Sequence, residues 1–422
     1  MEGDRCDQDH FAESVLNALR KDGENREIEY DSGQFALLIK ETDGSVCSIL
    51  HLTNRYQDYL TLPPERQMDL VLEIARDHLE MRAFHFPDSF QEAAPHLLPC
   101  VDERTRYESY HLSLQIDNLG LDRGELNNLE FNKRKIPYLP MADCLGVSLV
   151  YDLPNCKVQI TQQCLTEWKV ELAEALAAAE ENLQKITPSS FKPLFDGFYA
   201  SEWSDTYDAS RICLPSLMKG LRVQGEPVVM IVNRDVVFVT GSQDREGLEK
   251  LAYLTNKGLK ELARPARTMP IVLSGTEWAP LELRPEEVSF DAFRWWHNLK
   301  AMVEQDSYEE QSMLLSRWFE KTGEKTNLPK VEVVEDQESR LMFSLFTWAK
   351  TGPSLVPKTS LVALPHQHLD IPDKNIFIYP FEKIQQAAGD ELAPTPLYPP
   401  RYRVQEMPRF RGLKESLGDD LN

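Results

Sequence analysis

The chain predicts an α+β protein built from repeated strand–strand–helix units, which form antiparallel sheets with helices packed on one face, followed by an irregular C-terminal extension. Three observations lead there. Short apolar runs recur in pairs around turn-forming residues. A stretch with helical apolar spacing follows each pair. The composition, 42% hydrophobic and 27% charged over 422 residues, is that of a globular chain with volume for two or three cores.

The first helix is expected over residues 11–21, with Phe11, Val15, Leu16 and Leu19 on one face. Strands at 34–40 and 45–52 meet at Asp43-Gly44, a hairpin signal. Pro63-Pro64-Glu65 opens a helix carrying Leu70, Val71 and Ile74. Proline suits that place because the N–H it lacks would be unpaired there anyway. The same order returns at 146–151 and 157–161, around Leu153-Pro154-Asn155, with an alanine-rich helix over 165–186. It returns at 227–232 and 236–240, around Asn233-Arg234-Asp235, with a helix over 244–262. The last unit pairs 270–274 with 279–283 and continues into a helix over 285–304.

Residues 84–140 are punctuated by Pro87, Pro95, Pro99, Pro137 and Pro140, alternate weakly at 110–116, and read as an irregular connector. Beyond 304 an amphipathic helix is expected over 308–322, then an element of either kind at 340–349, then proline-rich chain. The expected division is an N-terminal helix–hairpin–helix lobe (1–83), the connector (84–140), a central domain of strand–strand–helix units (141–305) and a C-terminal extension (306–422).

A formal charge of −22, from 68 acidic and 46 basic side chains, disfavours nucleic acid as a general partner. The exception is a basic, aromatic tail from Arg401 to Lys414, which an acidic body would draw back into a clasp within the chain or between subunits. No window approaches the ~20 apolar residues that span a bilayer. The seven cysteines are odd in number and contain no Cys-x-x-Cys pair, which fits a reducing cytoplasm.

The most particular residue choices lie at Tyr207-Asp208-Ala209-Ser210-Arg211-Ile212. Asp208 suits a helix N-cap, accepting from the N–H groups of Ser210 and Arg211 for about 1 kcal/mol. Tyr207 suits a staple against the same helix. Arg211 stands at the wrong end of the helix dipole and so calls for a partner, either a carboxylate such as Asp205 or Asp235 or a bound anion. With the Asn233-Arg234-Asp235 turn as a lid, Tyr207, Asp208, Ser210 and Arg211 form the candidate ligand- or partner-binding site. This hexapeptide, followed by paired strands and a helix, resembles the YtpQ-like bacterial family, domain of unknown function 1444. The resemblance extends more diffusely over residues 1–285 and implies a fold, with no activity attached.

Other constellations carry less. His366, His368 and Asp370 would share one face of an extended segment, a weak metal-ligand pattern with Ile371 where a further ligand would stand. Ser242, before the 244–262 helix, reads as its cap. Cys213 lies between apolar neighbours and reads as a buried thiol. Trp295 and Trp296, about 100° apart on a helix, need two covering surfaces. No nucleotide-binding glycine pattern or nucleophile elbow is present, and no cofactor is expected. The leading expectation is a non-catalytic protein-interaction or accessory protein with a protein partner. The alternative is an enzyme or small-anion-binding protein with its site around Tyr207, Asp208 and Arg211.

Overall fold

Apolar periodicity sets where strands and helices form, and their nonlocal pairing sets the architecture. A computed structural model of the chain describes residues 2–33, 35–44, 46–118, 133–262, 264–349, 352–365, 376–408 and 410. It is 43% helix and 25% strand, and its sheets are almost wholly antiparallel, so the α+β class holds.

At the N-terminus, helix Glu2–Lys21 precedes a meander of β1 (Glu27–Asp31), β2 (Ala36–Lys40) and β3 (Val46–His51). Helices Thr53–Thr61 and Pro64–Ala83 complete the layer. Phe11, Val15 and Leu19 pack with Leu37, Tyr56, Val71 and Ile74 in one apolar cluster. Glu24 is buried beside it and accepts from Arg26 Nη2 at 2.9 Å and Arg82 Nη1 at 3.0 Å, with His78 Nε2 at 3.1 Å.

The expected irregular connector is in part regular. It contains β4 (Leu97–Glu103), helix Arg104–Asn118 and β5 (Leu139–Met141). Tyr107, His111 and Leu114 are buried at three- and four-residue intervals, so the weak alternation at 110–116 belongs to a helix. β6 (Leu145–Asp152) pairs with β4 on one side and with β5 and β7 (Lys157–Gln159) on the other. The alanine-rich helix is two helices, Gln162–Trp168 and Leu172–Lys185, separated where Lys169 takes a left-handed φ of 55°.

Six strands form the next sheet: β8 (Lys192–Phe195), β9 (Phe198–Ala200), β10 (Pro227–Asn233), β11 (Val236–Gly241), β12 (Ile271–Ser274) and β13 (Glu277–Pro280). Their order is β13-β12-β10-β11-β9-β8. One face, through Val228, Met230 and Val232, packs with Leu248 and Leu251 of helix Arg245–Glu261. The other, through Val229, Ile231 and Val239, joins Val147, Leu149 and Ala179 in a second core. Covered on both faces, β10 is apolar without alternation. Gly241 ends β11 against the neighbouring loop, where a Cβ would lie 2.1 Å from the Gln224 carbonyl oxygen. The N-cap of the following helix is Asp244, which accepts from Gly247 N–H at 2.9 Å; the expected cap, Ser242, instead accepts from Glu226 N–H at 3.0 Å.

The two helices expected over 285–304 and 308–322 are one, Phe290–Thr322, because Gln305-Asp306-Ser307 supplies no breaker. Trp296 is buried against the Leu251 cluster and Trp295 packs edge-on to it at 4.5 Å. The C-terminal extension carries more strand than expected. β14 (Val331–Glu335), β15 (Met342–Thr347), β17 (Leu361–Pro365) and β18 (Ile376–Pro380) form one sheet, with β15 and β17 parallel. β16 (Ser354–Pro357), β19 (Ala393–Pro394) and β20 (Arg401–Val404) form another. Among the described residues, no helix is long and apolar enough to cross a membrane.

Candidate ligand-binding site

The hexapeptide is an interior junction. Ala209–Cys213 form a short 3₁₀ helix, and Asp208 makes no capping bond with its side chain. The expected cap fails because the Asp208 backbone is itself helical, with φ −54° and ψ −48°, whereas a cap needs an extended residue. Neighbouring elements hold the segment instead. Ser210 Oγ accepts from Val101 N–H of β4 at 3.2 Å. Ala209 N–H donates to the Arg234 carbonyl at 3.1 Å. Trp278 Nε1 donates to the Ile212 carbonyl at 3.0 Å.

Arg211 has 0% exposure and donates to both carboxylate oxygens of Asp205, at 2.8 and 2.7 Å. Its Nε donates to Thr187 Oγ1 at 3.1 Å, and its guanidinium lies 4.2 Å from the centre of the Trp203 ring. Burial raises the Asp205 pKa, but hydrogen bonds from Arg211 and Tyr207 N–H outweigh it and hold the carboxyl below its ordinary value. Asp208 is also fully buried, yet neither of its carboxylate oxygens has a hydrogen-bond partner among the described residues. The Ser201 hydroxyl nearby favours its charge, but that hydroxyl donates to the Asp235 carbonyl at 3.3 Å and accepts from Val237 N–H at 3.0 Å. Burial pushes the Asp208 pKa up.

Tyr207 is a platform rather than a staple. Its hydroxyl donates to Asp152 Oδ1 at 2.5 Å, and Lys157 Nζ sits 3.2 Å from its ring centre. Lys157 also donates to the Thr206 carbonyl at 2.9 Å. Burial, with the Arg234 guanidinium near, draws its ammonium down to about 8, while the Asp152 and Asp205 carboxylates act in the opposite sense. Ser204 and Thr206, on either side of Asp205, have left-handed φ values of 51° and 66°. For a β-branched residue that costs of order 1 kcal/mol or more.

Lys157 and Thr206 separate two cavities. The larger, about 620 Å³, is bordered by His96, Asp152, Asp205 and Tyr207. The smaller, about 240 Å³, lies between β4, the β10–β11 turn and the loop after helix Arg245–Glu261. Among the described residues, four basic and four acidic side chains line it. Arg106 pairs with Asp102 at 3.2 Å and Arg234 with Asp235 at 3.3 Å, while Arg264 pairs with Asp58 of helix Thr53–Thr61. Lys157 makes no ion pair among the described residues, and burial raises the pKa of the remaining acid, Glu103. Arg264 has a left-handed φ of 50°, and among the described residues neither its Nε nor Asp235 Oδ1 has a partner.

The expected residues are therefore divided. Ser210, Asn233, Arg234 and Asp235 line the small cavity and Tyr207 lines the large one, whereas Asp208 and Arg211 border neither. Lys157, Arg106 and Arg264 are additions from three other elements, and their local sequence carries no signal for them. Cys213 is buried and burial raises its thiol pKa. Cys100, Cys144, Cys156, Cys164 and Cys213 are free thiols. His366, His368 and Asp370 lie outside the described residues, and no group of ligands able to hold a metal occurs among those described.

No protein-family model matches the chain, and no solved structure matches it. Over 135 residues, 31% of its length, it is 26% identical to a UPF0354 protein of Listeria monocytogenes, covering 51% of that protein. A UPF0354 protein of Listeria welshimeri is 25% identical over 135 residues, again 51% of its length. One from Bacillus cytotoxicus is 29% identical over 86 residues, 20% of this chain and 32% of that protein. The chain thus spans about half the length of the Listeria relatives it matches. Over about 30% of its residues it is similar to an uncharacterised bacterial family.

Proposed function

We infer that the chain binds a small polar ligand in the mixed-charge cavity beside Lys157, with the Asn233-Arg234-Asp235 turn at its edge. The observation that carries this is strain: Thr206 and Arg264, which both line this cavity, hold left-handed backbone, and such strain clusters at binding sites. A volume of about 240 Å³ suits a metabolite below drug size. The test is a thermal-shift screen of charged metabolites on the wild type and on Lys157→Gln and Arg234→Gln. A ligand that raises Tm in the wild type and loses its effect in both variants supports the reading. A screen that shifts nothing removes it.

A protein partner is the second reading. Phe195, Tyr253 and Phe290 are exposed aromatics, and Lys250, one turn from Tyr253, lies 4.7 Å from the Phe195 ring centre. A stoichiometric chain that co-purifies with the wild type and is lost with Tyr253→Ala and Phe290→Ser supports it. Cytoplasmic residence is supported by the acidic charge and free thiols. A YtpQ-like identity for residues 1–285 is supported by the Tyr207–Ile212 motif, now an interior junction.

A further inference from the structure

The small cavity differs from an anion site in its charge balance. Its four cations are matched by four carboxyl groups, and three of the cations are already paired. Phosphate or a dicarboxylate entering there would bring its charge close to Asp58, Asp102 and Asp235. A simple amine would meet Arg106, Arg234 and Arg264 in the same way. Both ligand types would be held by one half of the lining and repelled by the other.

The unused hydrogen-bonding groups have both signs. Arg264 Nε is a donor without a partner, in a residue whose fork also donates to the Asn54 carbonyl at 3.1 Å. Lys157 spends one of its three N–H groups on the Thr206 carbonyl and presents its charge to the Tyr207 ring. Against these donors stands Asp235 Oδ1, an acceptor without a partner, whose other oxygen takes the Arg234 bond. The backbone N–H of Asp235 donates to Asn233 Oδ1 at 3.0 Å, which fixes the turn that carries it. Buried donors and acceptors left unpaired are costly unless a ligand completes them.

We propose that this cavity receives a small zwitterion of the free α-amino acid type, its carboxylate taken by Arg264 and Lys157 and its ammonium by Asp235. The proposal rests on the ligand-binding reading above and adds the chemical class. A ligand carrying both charges on a short skeleton meets the cationic and the anionic half of the lining at once and leaves the lining neutral. Its size matches a cavity of about 240 Å³, below the roughly 300–1,000 Å³ typical of drug-sized pockets.

The test is calorimetric titration of the full chain with glycine, L-alanine, L-serine, L-aspartate and L-arginine, and with the N-acetyl and carboxamide derivative of each. Inorganic phosphate and succinate form a separate arm. The expected result is binding of at least one amino acid, weakened tenfold or more by either blocking group. Asp235→Asn, which keeps the side-chain shape, should weaken the same amino acid tenfold, as should Lys157→Gln. The derivatives test the proposal even where a variant fails to fold. Equal binding of an amino acid and its N-acetyl derivative, or binding of phosphate or succinate alone, overturns the zwitterion and leaves a ligand cavity standing. No heat in any arm overturns both.

Discussion

Arg211 holds Asp205 through two parallel hydrogen bonds of 2.8 and 2.7 Å, and this pair closes the turn on which Thr206 and Tyr207 are presented to Lys157. The ion pair is thus a brace for a strained loop. Its guanidinium is fully buried, and it borders neither cavity.

Replacing Arg211 by Ala should cost about 3 kcal/mol, because it takes the counter-charge from Asp205 and a hydrogen bond from each of Thr187 and the Ile186 carbonyl. Arg211→Lys should recover little, since one ammonium cannot reproduce a planar fork with three separate acceptors. Urea denaturation of the three proteins measures this. A loss below 0.5 kcal/mol for Arg211→Ala would show that the brace is dispensable.

Asp208 should behave in the opposite sense to Asp205. Its folded pKa is raised by burial, so the folded state keeps the proton to higher pH than the unfolded state does. Its contribution to stability therefore becomes less favourable as pH rises from the unfolded value, about 3.9, through the folded one. Asp208→Asn should be roughly 1 kcal/mol more stable than the wild type at pH 8, with the advantage shrinking towards pH 4. Paired urea melts at the two pH values decide it. An advantage that grows on acidification contradicts the assignment.

Glu24 gives the β1–β3 meander and its helices an acid-sensitive lock. Hydrogen bonding from Arg26 is the largest cause that holds its carboxyl well below the usual range, against burial. A carboxyl depressed in the folded state stabilises above its unfolded pKa, about 4.3, and loses that effect as pH falls through the folded value. Amide exchange should show residues 27–83 losing protection below pH 4 in the wild type. Glu24→Gln should bring that loss to neutral pH at a cost of about 3 kcal/mol. Unchanged protection in the variant would remove Glu24 from this role.

The tail is fastened by Arg401, which is buried and pairs with no carboxylate among the described residues. It donates to Gln311 Oε1 at 2.5 Å, the Leu355 carbonyl at 2.9 Å and Ser312 Oγ at 2.7 Å. Burial lowers its pKa to about 10. Arg401→Ala strands these acceptors and should cost about 3 kcal/mol, at roughly 1 kcal/mol or more for each bond to a charged group. Exchange should rise in β16 and β20 and not in β1–β3. Continued protection of 401–404 would mean that strand pairing alone holds the tail.

How much was legible depends on how local the signal is. Asn233-Arg234-Asp235 between two apolar runs was enough to define the β10–β11 hairpin, because turn and strands lie within one short window. β4 was hidden because its partner β6 is far along the chain, with Leu97 opposite Tyr151, and Pro95 and Pro99 imitate loop punctuation. The cap assigned to Asp208 failed for a related reason. A cap is a local rule, and the segment is held by Val101, Arg234 and Trp278 from elsewhere.

The sequence by itself determined the α+β class, the hairpin-and-helix units and the singular character of Tyr207–Ile212, since each is a property of neighbouring residues and their period. Only the tertiary structure decided which charges face a common space. Lys157 opens β7, Arg106 lies in the helix after β4, and Arg264 follows the helix beyond β11; none has a neighbour in sequence that marks it. Their convergence, and the enclosure of Arg211 away from it, follow from sheet pairing and burial, which act between residues distant along the chain.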